Sequence, residues 1–345
     1  MTATIAITRG ESRFDTVRRA LDLIADQVDL RACRQVLIKP NLVSTVRQLA
    51  STHADAMRAT LEFVRARYDG PLCIAEGSAL APTFEGYERF GYLPLAREYK
   101  AQLVDLNASE TVPVRAFNRH LRPVTLRMAR LAVESDFRIS VSPPKTHDRV
   151  TVTLSIKNMV MGSLVNPAAA RPDSRLAQMT IRLASSLGQG VGNRATQIAH
   201  LAKTMLAGRD RTDKMRMHQG FPVINLNIAR LAPQVLPSLA VIDGFEGMEG
   251  DGPTNGEQVD WRVALAGRDA VAVDSLTAHL MGFDPQRVGY LVYCQQLGLG
   301  EGNLARMEVR GGLALDELRR PFAPPPTVKR QGDWELQDAG RWLRA

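Results

Sequence analysis

Lys145-Thr146-His147 sets an ammonium and a titratable imidazole two residues apart, directly behind Pro143-Pro144. Proline removes a ladder donor and fixes its own φ, so the chain must leave a central strand there. A stiff turn carrying lysine and histidine suits anion binding and general acid–base chemistry. The competing reading, a surface loop with an incidental histidine, is the weaker one in a chain of 345 residues with only six histidines. Lys157-Asn158 follows at the end of Val150 to Lys157, whose alternation predicts a strand with Thr151, Thr153, Ser155 and Lys157 on one polar face, although a short helix fits the same residues.

Two further groups stand behind apolar runs. Lys39-Pro40-Asn41 ends VLIK with a cation, a forced turn and a side chain that both donates and accepts. Taken alone it reads more simply as a strand-end lysine that snorkels to solvent. Glu76-Gly77-Ser78 stands at the corresponding place after another strand, where glycine permits close backbone approach. An ordinary helix entry capped by Ser78 fits equally well.

The acidic stretch from Asp243 to Gly256 is the strongest single signal. Asp243, Glu246, Glu249 and Asp251 alternate with glycines at 244, 247, 250 and 252, directly after an apolar run. Hard cations take several carboxylate or carbonyl oxygens, and glycine lets a backbone fold around them, so a magnesium, manganese or iron site fits, with a glycine-rich loop of solvated acids as the nearly equal alternative. The spacing excludes a calcium EF-hand. Asp274, inside the apolar run AVAVDSLTAHLMG, joins the candidate ligands because a buried carboxylate requires a partner; a backbone donor would also serve.

The elements that must position these residues alternate in type. TIAIT, VLIKPNLV, the run from Pro71 to Ala75, Gln102 to Leu106, Phe137 to Val141, Ser238 to Ile242, Arg262 to Ala266 and Met307 to Arg310 read as strands. Helical spacing is predicted over Asp15–Leu30, Met57–Arg67, Phe84–Arg97, Arg127–Glu134, Val223–Leu231, Ala270–Gly282 with Asp269 as cap, and Val288–Leu297. This is the rhythm of an α/β fold, a mostly parallel or mixed sheet covered by helices, with its site at the strand ends. The expected organisation is one domain over residues 1–320, a lid or insertion at 163–220 containing a helix near Thr196–Leu206, and a peripheral tail at 321–345.

Composition removes other classes. A formal charge of +8 is spread over scattered arginines, and six Tyr with three Trp show no basic–aromatic interleaving, so nucleic-acid binding is unsupported. An anionic small molecule explains the charge equally well. Cys33, Cys73 and Cys294 lie far apart without a CxxC, too few for a thiolate zinc site or an intrinsic iron–sulfur cluster. The opening MTATIAITRG has no signal-peptide pattern and no run reaches membrane-span length, which makes the cytoplasm the expected location. GQGVG at 188–192 lacks GxGxxG spacing, His218 stands in a basic patch as either a lid residue or an incidental one, and no GxSxG, HExxH or Walker pattern occurs.

Taken together, LIKPNLV, IAEGSA, SPPKTH followed by TLSIKNMVMG, MHQGFP, AVIDGFEGMEGDGPTNG and DAVAVDSLTAHLMG resemble domain of unknown function 362 in order and spacing, from about Ile38 to Val309. The positions carried over are Lys145, His147, Lys157, Asn158, Asp243, Glu249, Asp251, Gly252, Pro253 and Asp274. The resemblance implies no particular reaction. Some members carry ferredoxin-type cysteine clusters, which suggests redox work, but this chain has no such run. It also has Pro143 where relatives carry a second lysine, which weakens anion contacts expected there.

Two functions fit. The first is an enzyme for a small anionic substrate, with His147, Lys145 and Lys157 as the acid–base and anion-holding groups, Lys39, Asn41, Glu76 and Asn158 lining a ligand, and a divalent metal on Asp243, Glu249, Asp251 and Asp274. The second is a non-catalytic protein that holds a metal or cofactor, or assists a redox partner.

Overall fold

Among the described residues there are twelve strands: β1 (Ala3–Arg9), β2 (Val36–Lys39), β3 (Leu72–Glu76), β4 (Gln102–Asp105), β5 (Thr111–Phe117), β6 (Pro123–Ala129), β7 (Phe137–Ser142), β8 (Lys145–His147), β9 (Thr151–Thr153), β10 (Leu239–Glu249), β11 (Glu257–Gly267) and β12 (Met307–Arg310). The computed structural model describes residues 2–79, 81–166 and 212–344. Ten strands make one mixed sheet in the order β12-β1-β11-β10-β7-β2-β3-β4, with β8 and β9 joined beyond the end of β7. All pairs from β10 through β7, β2 and β3 to β4 are parallel, and β11 runs antiparallel to both β1 and β10.

Side chains alternate between two apolar cores. Leu37 of β2 and Ala240 and Ile242 of β10 face one, while Val36, Ile38, Leu239 and Val241 face the other. A sheet buried on both faces explains why these runs are continuously apolar instead of alternating with polar residues. Helices Arg13–Asp22 and Ala54–Arg65 cover one face; Ser155–Ser163, Phe221–Val235, Ala270–Leu280 and Gly289–Gln296 cover the other.

Four local expectations are corrected. The helix expected over Arg127–Glu134 is half strand: β6 pairs antiparallel with β5, and only Arg130–Glu134 is helical. Asn227 ties the turn end of this hairpin to helix Phe221–Val235, its side chain accepting from the Phe117 N–H at 2.9 Å and donating to the Phe117 carbonyl at 2.8 Å. The helix over Phe84–Arg97 is two short helices, Thr83–Arg89 and Tyr92–Glu98, broken at Gly91, whose φ of +77° favours glycine. The strand predicted over Val150–Lys157 stops at Thr153, and helix Ser155–Ser163 begins two residues later. The acidic stretch is a hairpin: β10 runs on to Glu249 with an irregular register between Gly244 and Glu246, then turns back into β11.

The segment 321–345, expected to be peripheral, packs back on the fold. Phe322 and Trp334 are buried edge-to-face against Trp261 and Tyr293. Gln331 hydrogen-bonds the His147 carbonyl and the Thr151 N–H. Most of 163–220, including the helix expected near Thr196–Leu206 and GQGVG at 188–192, lies outside the described residues. No helix among the described residues is long and apolar enough to cross a membrane.

Candidate functional site

Lys39 and Glu76 are the last residues of neighbouring parallel strands, so β2 and β3 deliver a cation and a carboxylate side by side at one edge of the fold. The chain reverses its direction of travel across the sheet here, because β2 is flanked by β3 on one side and β7 on the other, and such a switch point opens a crevice at the strand ends. The Lys39 ammonium donates to Glu76 Oε2 at 2.7 Å, to Asn158 Oδ1 at 2.9 Å and to the Pro40 carbonyl at 3.0 Å. Asn158 Oδ1 also accepts from Asn41 Nδ2 at 2.9 Å, and Asn158 Nδ2 donates to Ser140 Oγ at 3.0 Å. Close approach of helix Ser155–Ser163 depends on Gly162, where a Cβ would fall 2.1 Å from the Lys39 ammonium and 2.5 Å from Glu76 Oε1.

Pro143-Pro144 carries the chain out of β7, and β8 re-pairs farther along β10, where Met248 lies opposite Lys145 and donates to the Pro144 carbonyl at 3.0 Å. That step turns the Lys145 ammonium inward, where it donates to Asn41 Oδ1 and to the Ala50 carbonyl. Burial and the neighbouring Lys157 and Lys39 ammoniums hold Lys145 well below the usual lysine range. Desolvation lowers Lys39 too, opposed by Glu76.

Lys157 and Asn158 stand on the first turn of helix Ser155–Ser163, whose start is fixed by Asp274. The Asp274 carboxylate accepts from the Ser155 N–H at 2.9 Å, Ser155 Oγ at 2.6 Å and the Ile156 N–H at 2.9 Å. A carboxylate at a helix N-terminus satisfies orphan donors and complements the helix dipole. Burial pushes Asp274 up to about 7 against the pull of those hydrogen bonds.

Two residues near the site were weak or silent in the sequence. Lys214 reaches back from helix Asp213–Met217 to the Gly77 carbonyl, and His218, four residues on, bonds the Lys214 carbonyl through Nδ1 at 2.7 Å. The His147 and His218 rings lie nearly parallel, with centroids 6.4 Å apart. A carbonyl only accepts, so His218 Nδ1 carries a proton and its Nε2 is bare. His147 Nδ1 accepts from the Arg149 N–H at 3.0 Å, so its proton is on Nε2. Desolvation first, then the Lys157 charge, hold His147 well below the usual histidine range and His218 down to about 4, which leaves both rings neutral at pH 7. Desolvation also brings Lys157 and Lys214 down to about 8.

The acids expected to share a metal have separate roles. Asp243 Oδ1 accepts from Arg13 Nε at 3.2 Å, Glu246 pairs with the same guanidinium, and Glu249 accepts from the Ala323 N–H at 2.8 Å. Desolvation raises Asp243 to about 6 against the pull of Arg13. Asp274 is taken up at the helix start, and no three His, Cys, Asp or Glu among the described residues form a group suited to a metal ion. Arg13 offers no signal in a chain rich in arginine; its position seven residues before Ala20 on the first helix gives no hint of a partner 230 residues away.

Residues 36–279 match the family described as domain of unknown function (DUF362). The chain belongs to that family. A curated relative, the thylakoid-associated protein sll1697 of Synechocystis, is 22% identical over 268 residues, covering 77% of this chain and 68% of the relative. Among solved structures, the lactate racemase apoprotein of Thermoanaerobacterium thermosaccharolyticum superposes with a TM-score of 0.41 at 14% identity, covering 86% of this chain and 57% of that one. A structural-genomics protein of Thermotoga maritima gives 0.42 at 9% identity, covering 84% and 60%. The chain therefore spans less than two thirds of either solved protein. The DUF362 region contains every site residue named above except Arg13 and the tail contacts.

Proposed function

We propose that this DUF362 chain is an enzyme acting on a small anionic substrate at the ends of β2, β3 and β8. The observation that carries the reading is a charge imbalance: Lys39, Lys145, Lys157 and Lys214 are at most 6% exposed, and the only carboxylate hydrogen-bonded to any of these four ammoniums among the described residues is Glu76, bound to Lys39. Uncompensated buried cations are costly, and an anion that pairs with them removes the cost.

In this reading Lys145, Lys157 and Lys214 hold the anion. Lys39, Glu76, Asn41 and Asn158 act as positioning residues that fix the helix and the loop. His147 presents an Nε2 proton and His218 a bare Nε2, on rings with centroids 6.4 Å apart, which supplies an acid and a base side by side. The acidic hairpin serves the site by bracing β10 and β11, with Arg13 as its counter-ion.

The test is thermal unfolding and calorimetric titration of the full chain with sulfate and malonate at pH 7, beside Lys145→Met and Lys157→Met. Stabilisation by either anion in the wild type, lost in the variants, supports the reading. Equal response of wild type and variants, or none at all, removes it.

A further inference from the structure

Lysine supplies seven of the 44 Lys and Arg residues, and among the described residues Lys39, Lys145, Lys157 and Lys214 are buried at the site. A chain that places arginine at nearly every other basic position keeps lysine where the side chain is desolvated. Arginine stays charged in any protein environment, whereas a buried lysine loses its proton readily and becomes a nucleophile. The four are not equivalent. Lys39, Lys145 and Lys214 each donate to a backbone carbonyl, and Lys39 and Lys145 also to a side-chain oxygen. Lys157 has no hydrogen bond to any described residue, feels the Asp148 carboxylate only as a nearby charge, and keeps 5% exposure where Lys39 and Lys145 have none. It is also the charged side chain that most strongly opposes protonation of both imidazoles.

We propose that Lys157 is a nucleophilic amine that condenses with the aldehyde or ketone carbon of the bound anion, so that the substrate class is an oxo acid or another anionic carbonyl compound. This rests on the anionic-site reading above. The neutral Lys157 nitrogen attacks the carbonyl carbon, and the C–N bond forms as the carbon–oxygen π pair moves to oxygen. His147 Nε2–H donates a hydrogen bond to that oxygen. His218 Nε2 takes the proton the nitrogen loses and passes it to the oxygen, giving a carbinolamine. A second transfer by the same path turns the hydroxyl into water, which leaves as the nitrogen lone pair closes the C=N bond. Amine and carbonyl thus give imine and water, both amine protons departing with the oxygen, and no oxidant or reductant is consumed. An amine lowered to about 8 is mostly protonated near neutral pH but keeps a far larger neutral fraction than an ordinary lysine, and that fraction attacks while Lys145 and Lys214 hold the carboxylate.

The experiment is reductive trapping of the full chain with glyoxylate and cyanoborohydride at pH 7.5, read by peptide mass mapping. Neutral propionaldehyde is run in parallel, and sulfate is added as competitor. The expected result is a carboxymethyl adduct on Lys157, about tenfold or more above Lys100 and Lys329, suppressed by sulfate and absent in Lys157→Arg. Circular dichroism and sulfate binding of Lys157→Arg check that this variant keeps its fold and its cationic site. Sulfate binding without an adduct on Lys157, or with the main adduct on Lys39, Lys145 or Lys214, overturns the amine assignment and leaves the anionic site standing. Equal labelling of Lys157 by glyoxylate and propionaldehyde, with no effect of sulfate, keeps the reactive amine and overturns the anionic site.

Discussion

Asp274 on one helix fixes the start of another: both oxygens of its buried carboxylate are taken up by Ser155 and Ile156, 119 and 118 residues away in sequence. The two residues that follow, Lys157 and Asn158, owe their direction to this contact. Asp274→Ala leaves three buried donors without partners and should cost roughly 2–4 kcal/mol, with Asp274→Asn costing about half as much because one acceptor oxygen remains. Urea unfolding of the two variants measures this. A loss below about 0.5 kcal/mol for the alanine variant would show that the helix start does not depend on Asp274.

Gln331 couples the C-terminal segment to the histidine loop, since its side chain holds the His147 carbonyl at 2.9 Å and the Thr151 N–H, and Thr151 has a φ of +66° that a non-glycine residue adopts only under constraint. Gln331→Ala should lower stability by roughly 1–3 kcal/mol and weaken anion binding by loosening β8. If the variant loses stability but binds sulfate as tightly as wild type, the tail braces the fold without acting on the site.

Much of this arrangement was legible in the sequence, and the parts that were not share a physical cause. Continuous apolar runs ending in Lys39 and Glu76 mark strand ends because a parallel sheet buries both faces, and that pattern is local, whereas the run ending at Asp243 is followed by six more residues of the same strand. The strand reading of Val150 to Lys157 failed past Thr153, where the short helix that also fitted these residues begins, because alternation over a few residues is weak beside a long-range cap from Asp274. The metal reading of the acidic stretch rested on its acids, its glycines and its place after an apolar run, none of which shows where a distant partner lies; the fold gives Asp243 the Arg13 guanidinium and Glu249 the Ala323 N–H. His218 was undecidable because a histidine in a basic stretch carries no pattern until Lys214 and His147 are beside it.

Arg13 is the counter-ion of a nearly buried carboxylate, bonding Asp243 and Glu246 with one guanidinium and lying 5.0 Å from the Phe245 ring centroid. Arg13→Ala leaves Asp243 buried and unpaired, and should cost roughly 3–5 kcal/mol at pH 7. Asp243 then ionises at higher pH in the folded state than the approximately 6 it has with Arg13 present, so the deficit shrinks as pH falls from that raised value to about 6 and is constant below it, where both proteins carry a neutral carboxyl. Chemical denaturation of the variant at pH 5 and pH 7 tests the sign. A deficit that grows on acidification would contradict it.

Sulfate binding should weaken as pH rises through about 8, because Lys157 and Lys214 reach that value in the free protein and lose their charge above it, while sulfate itself keeps two charges throughout. Stability of the free protein moves the other way. The folded lysines sit below the unfolded value of about 10.4, so between about 8 and 10.4 the unfolded chain binds more protons and stability rises with pH, the full cost of burying charge being present below that window. Bound sulfate raises both lysines toward their ordinary range and cancels much of that rise. Calorimetry from pH 7 to 10 in buffers of different ionisation enthalpy should therefore show net proton uptake on binding, largest between pH 8 and 9, and reduced in Lys157→Met and in Lys214→Met. A sulfate affinity that is flat across the range, with no proton uptake, would mean that these ammoniums do not meet the anion.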